Sequence, residues 1–474
     1  MADRGARALA IANRAVRGSG FGVRLTLRRQ LALSLLLALA GGAAIRAEDW
    51  PQFRGPSGQG HSAETGLPLA WSESQNVVWK APVPGRGWSS PVVADGRAWL
   101  TTSVKEKGAS LRAIAYDLAS GRETVNVEVF HVRSADLLNP KNSQASPTPI
   151  VDGDRVYVHF GADGTAALTT AGEIVWKQKF PYESQHGNGG SPIVYDDLLI
   201  FSCDGSSDAF VVALDKRTGK VRWKTPRRQP WDQAYSTPLV IRVGERDQLV
   251  SVGAYRTTAY DPRTGKEIWR VRYDEGFSNV PRPVFAHGLV YLATGFQQPT
   301  LMAVRVDGTG DVTKTHVAWT LTRGAPLTPS PLAVGDELYV VNDGGIAQCL
   351  DAATGKPHWV QRLGTGYSAS PVFADGRIYF LSEDGTSTVI EPGTTFKMLA
   401  TSSLDGGILA SMAVSGRSIF IRTSTHLYRL ALPAAGNHPP ASNSYSGPRR
   451  ISAVVPAALP PTSSTAPSGS RVAV

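Results

Sequence analysis

A short unit repeats along residues 77–431. It opens on a proline, mostly as Ser-Pro or Thr-Pro, and continues with an apolar run, a turn and a second apolar run. Copies open at Pro91, Pro147, Pro192, Pro238, Pro283, Pro331 and Pro371, and an eighth has Met412 in the proline's place. The spacings of 40 to 56 residues fit one four-stranded propeller blade per copy. A unit of this size cannot bury its apolar faces alone, so the copies must stack on one another.

Each copy reads as strands joined by tight turns. In the first, 91–94 is an apolar strand, and Asp95-Gly96 forms a turn that tolerates positive φ. Residues 97–103 return as an alternating strand, and 111–116 supply a third. A second turn then recurs as Leu214-Asp215-Lys216-Arg217-Thr218-Gly219, Tyr260-Asp261-Pro262-Arg263-Thr264-Gly265 and Leu350-Asp351-Ala352-Ala353-Thr354-Gly355. The Asp side chain can bond its own backbone there, and Gly supplies the left-handed position. Tryptophans at a fixed offset follow these turns. Trp176, Trp223, Trp269 and Trp359, with Trp79 in an equivalent strand, are expected to fill the space between adjacent sheets.

The pattern of an aliphatic residue and Asp, then Thr-Gly, then Trp resembles the repeat of the pyrroloquinoline-quinone-like propellers. That superfamily includes quinoprotein alcohol dehydrogenases and the outer-membrane assembly propeller lipoprotein. The segment Trp50-Pro51-Gln52-Phe53-Arg54-Gly55-Pro56 is similar to the leader of secreted bacterial members. The resemblance implies an all-β, eight-bladed β-propeller of four-stranded antiparallel sheets. The second unit departs from it, having Thr169-Thr170-Ala171-Gly172 without the Asp, and the fifth and seventh units are degenerate.

Ring closure follows from the strand count. The eighth unit offers three strands, at 408–414, 417–423 and 426–430, before the repeat ends. Val77-Val78-Trp79-Lys80 matches Ile174-Val175-Trp176-Lys177, a fourth strand in this reading. The N-terminal strand is therefore expected to complete the last blade and leave no open edge.

The chain has 474 residues and a formal net charge of +10, but the excess sits at its ends. Residues 1–47 carry +7 and 432–474 carry +3, so the body is neutral and offers no electrostatic footprint for nucleic acid. Residues 1–47 read as a secretory signal peptide: Arg24, Arg28 and Arg29, then the apolar run 31–44, then small residues before a cut after Ala47. That run is shorter than the roughly 20 apolar residues of a transmembrane helix. Residues 48–76 form a leader segment, 77–431 the propeller, and 432–474 a Pro-, Ala- and Ser-rich tail expected to be disordered. The expected protein is exported, periplasmic or secreted, monomeric, and without a stable membrane span. Its two cysteines, Cys203 and Cys349, exclude a disulfide framework.

In a propeller the connections between blades deliver residues to one end of the axis. The expected axial funnel comprises Trp88, Gln144, His186, Asn188, Trp231, Tyr235, Arg282, Tyr367, Asp204 and Asp343. Glu183, Asn188 and Asp204 are oxygen donors that could hold calcium. No residue is assigned a catalytic role, and no phosphate loop, zinc motif or nucleophile elbow is present. The resemblance implies pyrroloquinoline quinone and calcium as cofactors of the enzyme members, whose adjacent cysteine pair this sequence lacks. The leading expectation is a non-catalytic binding or interaction scaffold that takes a protein partner or small-molecule ligand at the central funnel. The alternatives are a quinone- and calcium-dependent alcohol or sugar dehydrogenase, and an envelope propeller like the outer-membrane assembly factor.

Overall fold

The computed structural model describes residues 48–133, 139–187, 189–205, 208–227, 233–273 and 276–433. Residues 1–47, expected to be a signal peptide, Asn188, Trp231 and the residues from 434 on lie outside these. The described residues form eight antiparallel sheets and no α-helix. Blade 1 is Val92–Ala94, Arg97–Lys105, Ala109–Asp117 and Glu123–Val132 in consecutive order. Blades 2 to 7 repeat this order, and the first strands of neighbouring blades touch around the axis. In blade 8, Val77–Pro82 pairs antiparallel with His426–Ala431, so the first strand of the ring closes the last sheet, as the strand count requires.

The local turns follow their residue chemistry. Asp95 and Gly96 both have positive φ, 48° and 76°, the geometry of a tight hairpin. In the second turn, Asp215 Oδ1 accepts from the N–H of Arg217 and from both the N–H and the hydroxyl of Thr218. Gly219 follows at φ 72°, and a Cβ there would lie 2.7 Å from the Trp176 ring of blade 2. Trp176 lies flat on that glycine and donates its indole N–H to Lys216 O at 3.0 Å. Trp79 on Gly121 and Leu118 O, and Trp223 on Gly265 and Pro262 O, repeat the joint. Trp359 donates to Gly393 O, whereas Trp269 is fully buried and donates to Gln248 Oε1. Trp319 makes the same joint in blade 5, donating to Ala352 O. The fifth unit looks degenerate because an insertion separates its turn from Trp319. Within that insertion Gly310–Asp311 adds a parallel fifth strand to blade 4.

A second joint runs around the axis. Ser90 N donates to Thr148 Oγ1, Thr148 N to Ser191 Oγ, and Ser191 N to Thr237 Oγ1. Arg282 N donates to Ser330 Oγ, Ser330 N to Ser370 Oγ, Ser370 N to Ser411 Oγ, and Ser411 N back to Ser90 Oγ. One residue per blade thus forms a belt, broken only at Arg282, whose side chain has no acceptor to offer. The belt also corrects the register of the second unit. Its equivalent pair is Thr148-Pro149 rather than Ser146-Pro147, because Thr148 occupies the belt and Ile150–Asp152 is the inner strand.

Deleting residues 48–83 is expected to abolish cooperative thermal unfolding followed by circular dichroism. A single sharp transition at an unchanged temperature would reject closure by the first strand. A second test concerns His159, which is 1% exposed between blades 2 and 3, bonded to Thr165 Oγ1 and tilted against Phe201 at 4.6 Å. Burial pulls its pKa from 6.5 down to about 3, so the unfolded chain binds a proton that the folded chain refuses. Its share of stability is present above pH 6.5 and is lost as pH falls towards 3. Between pH 7 and 5 the wild type should lose about 2 kcal/mol more unfolding free energy than His159→Gln in urea titrations. Equal losses would contradict the assignment.

Candidate functional site

The axis holds a cavity of about 500 Å³, and its residues come from all eight blades. All seven belt hydroxyls line it. The leader crosses the axis beneath, satisfying polar groups of the inner strands that would otherwise be buried unpaired. Trp50 exchanges two backbone bonds with Val93 of blade 1, and Pro51 O accepts from Val151 N of blade 2. Further along, Gln59 Oε1 accepts from Phe285 N of blade 5, and Gly60 O from Phe373 N of blade 7. Phe53 reaches into the cavity as part of its floor. Arg54 donates to Pro331 O at 2.8 Å and Gln59 O at 2.7 Å, and Arg282 donates to Phe53 O at 2.7 Å. Both arginines are buried, and a Cβ on Gly58 would lie 2.5 Å from the Arg282 guanidinium. The segment that begins Trp50-Pro51-Gln52-Phe53-Arg54 therefore turns a channel into a cup.

At the opposite end, residues 139–142 reach over the mouth. Lys141 Nζ lies 2.7 Å from Glu383 of blade 7, and Asn142 Nδ2 donates to His186 O at 2.6 Å. An aromatic lip completes the rim: Phe277 stands 6.2 Å from Tyr255 and 6.0 Å from Phe296, which is 58% exposed.

Of the expected funnel residues, Trp88, His186, Tyr235 and Asp343 line the cavity. His186 sits at the mouth with φ 64°. Asp343 is taken up locally, accepting from Leu327 N, Thr328 N and the Thr328 hydroxyl. The other described candidates lie elsewhere. Gln144 is buried behind the wall and accepts from Ser103 Oγ. Arg282 points below the floor, and Tyr367 is fully buried in the core between blades 6 and 7. Asp204 faces Arg227 at 2.7 Å with both side chains at most 1% exposed, a contact close in distance but off the hydrogen-bonding direction. Burial pushes the Asp204 pKa up to about 6, against the opposing charges of Arg227 and Arg256. Asn188 and Trp231 lie outside the described residues. Phe53, Phe277, Phe296 and Lys141 were missed: the leader's contacts are long-range, and an exposed aromatic in a loop has no periodicity to mark it.

A calcium-held quinone needs oxygen ligands free to meet the ion. Glu183 and Asp204 are on touching loops, since a Cβ on Gly205 would lie 2.2 Å from Glu183 O, but the Asp204 carboxylate is committed to Arg227. Asp343 holds its three donors, and Glu383 holds Lys141 and the Ser368 hydroxyl. Among the described residues, no three His, Cys, Asp or Glu side chains gather as a metal site. Of the three expected calcium ligands, Asp204 is thus already engaged by a cation, and Asn188 lies outside the described residues. Cys203 and Cys349 are buried and unbridged.

The family model described as outer membrane protein assembly factor BamB matches residues 62–202 and 311–397. BamB of Legionella pneumophila is 24% identical over 206 residues, 40% of this chain and 49% of that protein. The lanthanide-dependent methanol dehydrogenase of Methylorubrum extorquens is 28% identical over 34% of this chain and 28% of its own length. The quinoprotein ethanol dehydrogenase of Pseudomonas aeruginosa is 26% identical over 52% of this chain and 35% of that one. The chain thus spans half or less of the length of these curated relatives. Among solved structures, BamB from Moraxella catarrhalis superposes with a TM-score of 0.55 at 13% identity, covering 76% of this chain and 99% of that one. A europium-containing methanol dehydrogenase gives 0.51 at 12% identity, covering 84% and 100%. At these identities the likeness speaks for the fold. With eight blades, a strand-closed ring, tryptophan joints and a repeat model that matches just under half of it, this chain is similar to the pyrroloquinoline-quinone-like repeat β-propellers.

Proposed function

We propose that the protein is an exported binding scaffold whose axial cup receives a ligand or the projecting group of a protein partner. The observation that carries this reading is the cup itself: a cavity of about 500 Å³ with a mouth at one end and the leader across the other. Such a pocket, held on rigid sheets and lined by apolar walls with convergent polar groups, has the form of a binding site. Export rests on the basic flank, apolar run and small residues of 1–47. None of the described helices is long and apolar enough to cross a membrane.

The relatives include both an assembly factor and dehydrogenases, and a shared fold does not choose between them. The dehydrogenase reading draws on those relatives, and the committed carboxylates around the mouth count against it. The assembly-factor reading is one form of the scaffold, with a protein as the occupant.

The test uses a photo-crosslinking benzoylphenylalanine at Phe296 on the lip, with Val360 on the outer edge of blade 6 as control. Light should give a discrete adduct in the native host from position 296 and none from 360. Equal labelling at both positions would sink the reading. Calcium-dependent dye reduction by purified protein given quinone and alcohol would replace it with the dehydrogenase.

A further inference from the structure

The belt does more than join blades. Each of its seven hydroxyl oxygens accepts the N–H of a neighbouring blade, and none donates to another described residue. A hydroxyl that has accepted still has its own proton to give. These residues are only 2 to 4% exposed, and all line the cavity, so their free protons can be given to an acceptor placed at its base. One acceptor group at the centre of the ring can collect several of these donors at once.

The charge beneath has the complementary sign. Arg54 and Arg282 lie buried under the floor, and neither has a carboxylate partner among the described residues. Their guanidinium donors go to carbonyl oxygens of the leader and inner strands, which orient the groups without cancelling their charge. Burial and the charge of Arg282 pull Arg54 down to about 9, and burial does the same to Arg282, so both remain cations at neutral pH. Above the belt the wall turns apolar with Trp88, Phe277, Val280, Phe296, Leu327 and Leu409. The cup is thus graded from a cationic, donor-rich base to apolar upper walls, beneath a mouth crossed by Lys141 and Asn142.

We propose that this base takes the carboxylate of a small organic acid, with the acid's apolar body resting between the upper walls. The assignment rests on the scaffold reading and names the chemistry of what the cup holds. The carboxylate supplies acceptors to several belt hydroxyls at once, and charge-assisted hydrogen bonds of this kind are about twice as strong as neutral ones.

The probes are benzoate, its neutral isostere benzamide, and sulfate, titrated into the full chain by calorimetry. Benzoate should bind one to one, with benzamide and sulfate at least about tenfold weaker, the margin a charge-assisted contact and an apolar wall would each provide. Leu409→Asp sets a like charge in the wall and should weaken benzoate about tenfold while leaving benzamide within about twofold. Ser370→Ala removes one donor and should also weaken benzoate, with Ser370→Thr restoring it; circular dichroism checks that each variant is folded. Leu409→Asp keeps the test decisive should Ser370→Ala fail to fold. Equal binding of benzoate and benzamide, no binding of benzoate, or indifference to Leu409→Asp would overturn the assignment, and sulfate binding as tightly as benzoate would remove the organic acid. An adduct at position 296 without benzoate binding would overturn the carboxylate alone, whereas loss of both would overturn the scaffold reading as well.

Discussion

The belt of hydroxyl-to-amide bonds around the axis is the contact on which the rest of the structure depends. At the narrow end of each blade the backbone N–H groups have no strand on their inner side, and a buried donor left unpaired costs about 1–3 kcal/mol. A Ser or Thr on the next blade answers that need in seven of eight places, and the bonds run in one direction until Ser411 returns to Ser90. Six of the eight blades both give and receive, so none of these can tilt without breaking two bonds, whereas blade 4 only receives at Thr237 and blade 5 only gives from Arg282. The inner radius of the ring, and with it the width of the cavity, is set by this reciprocity.

The outer radius is set by a different contact with the same logic. A tryptophan on the last strand of one blade lies on the glycine of the next blade's turn and donates to a carbonyl in that turn. Any Cβ on Gly219 or Gly265 would enter the indole, so the glycine is required twice over: for its positive φ and for the approach of the ring. Val77–Pro82 brings Trp79 to the same joint at the seam, donating to Leu118 O of blade 1. The seam is therefore built like the interfaces that Trp176 and Trp223 make.

Function enters where the repeat is interrupted. Arg282 stands in the belt where a hydroxyl would otherwise be, and its side chain turns down to hold the leader by Phe53 O. The long connection from blade 1 to blade 2 carries Lys141 and Asn142 over the mouth. Both departures act on the axis, one closing its base and the other trimming its opening. The ring supplies a rigid frame, and these insertions make that frame a cup.

Much of this was legible in the residues. Period, blade number and closure by the first strand follow from local chemistry: turn residues at fixed offsets, a tryptophan at most joints, and a last unit one strand short. Where neighbouring units supply both halves of a contact, the sequence states the contact in each copy. What it could not state is what happens once. The pairing of Asp204 with Arg227, the burial of Tyr367, the downward turn of Arg282 and the path of the leader depend on where a side chain finds space or a partner. Gln59 meets Phe285, a residue 226 positions away, and no local pattern encodes such a meeting. By itself the sequence determined a closed ring of eight sheets, because repetition and turn chemistry are local. Only the tertiary structure decided that the ring has a floor, because that floor is made by one segment meeting many distant strands at once.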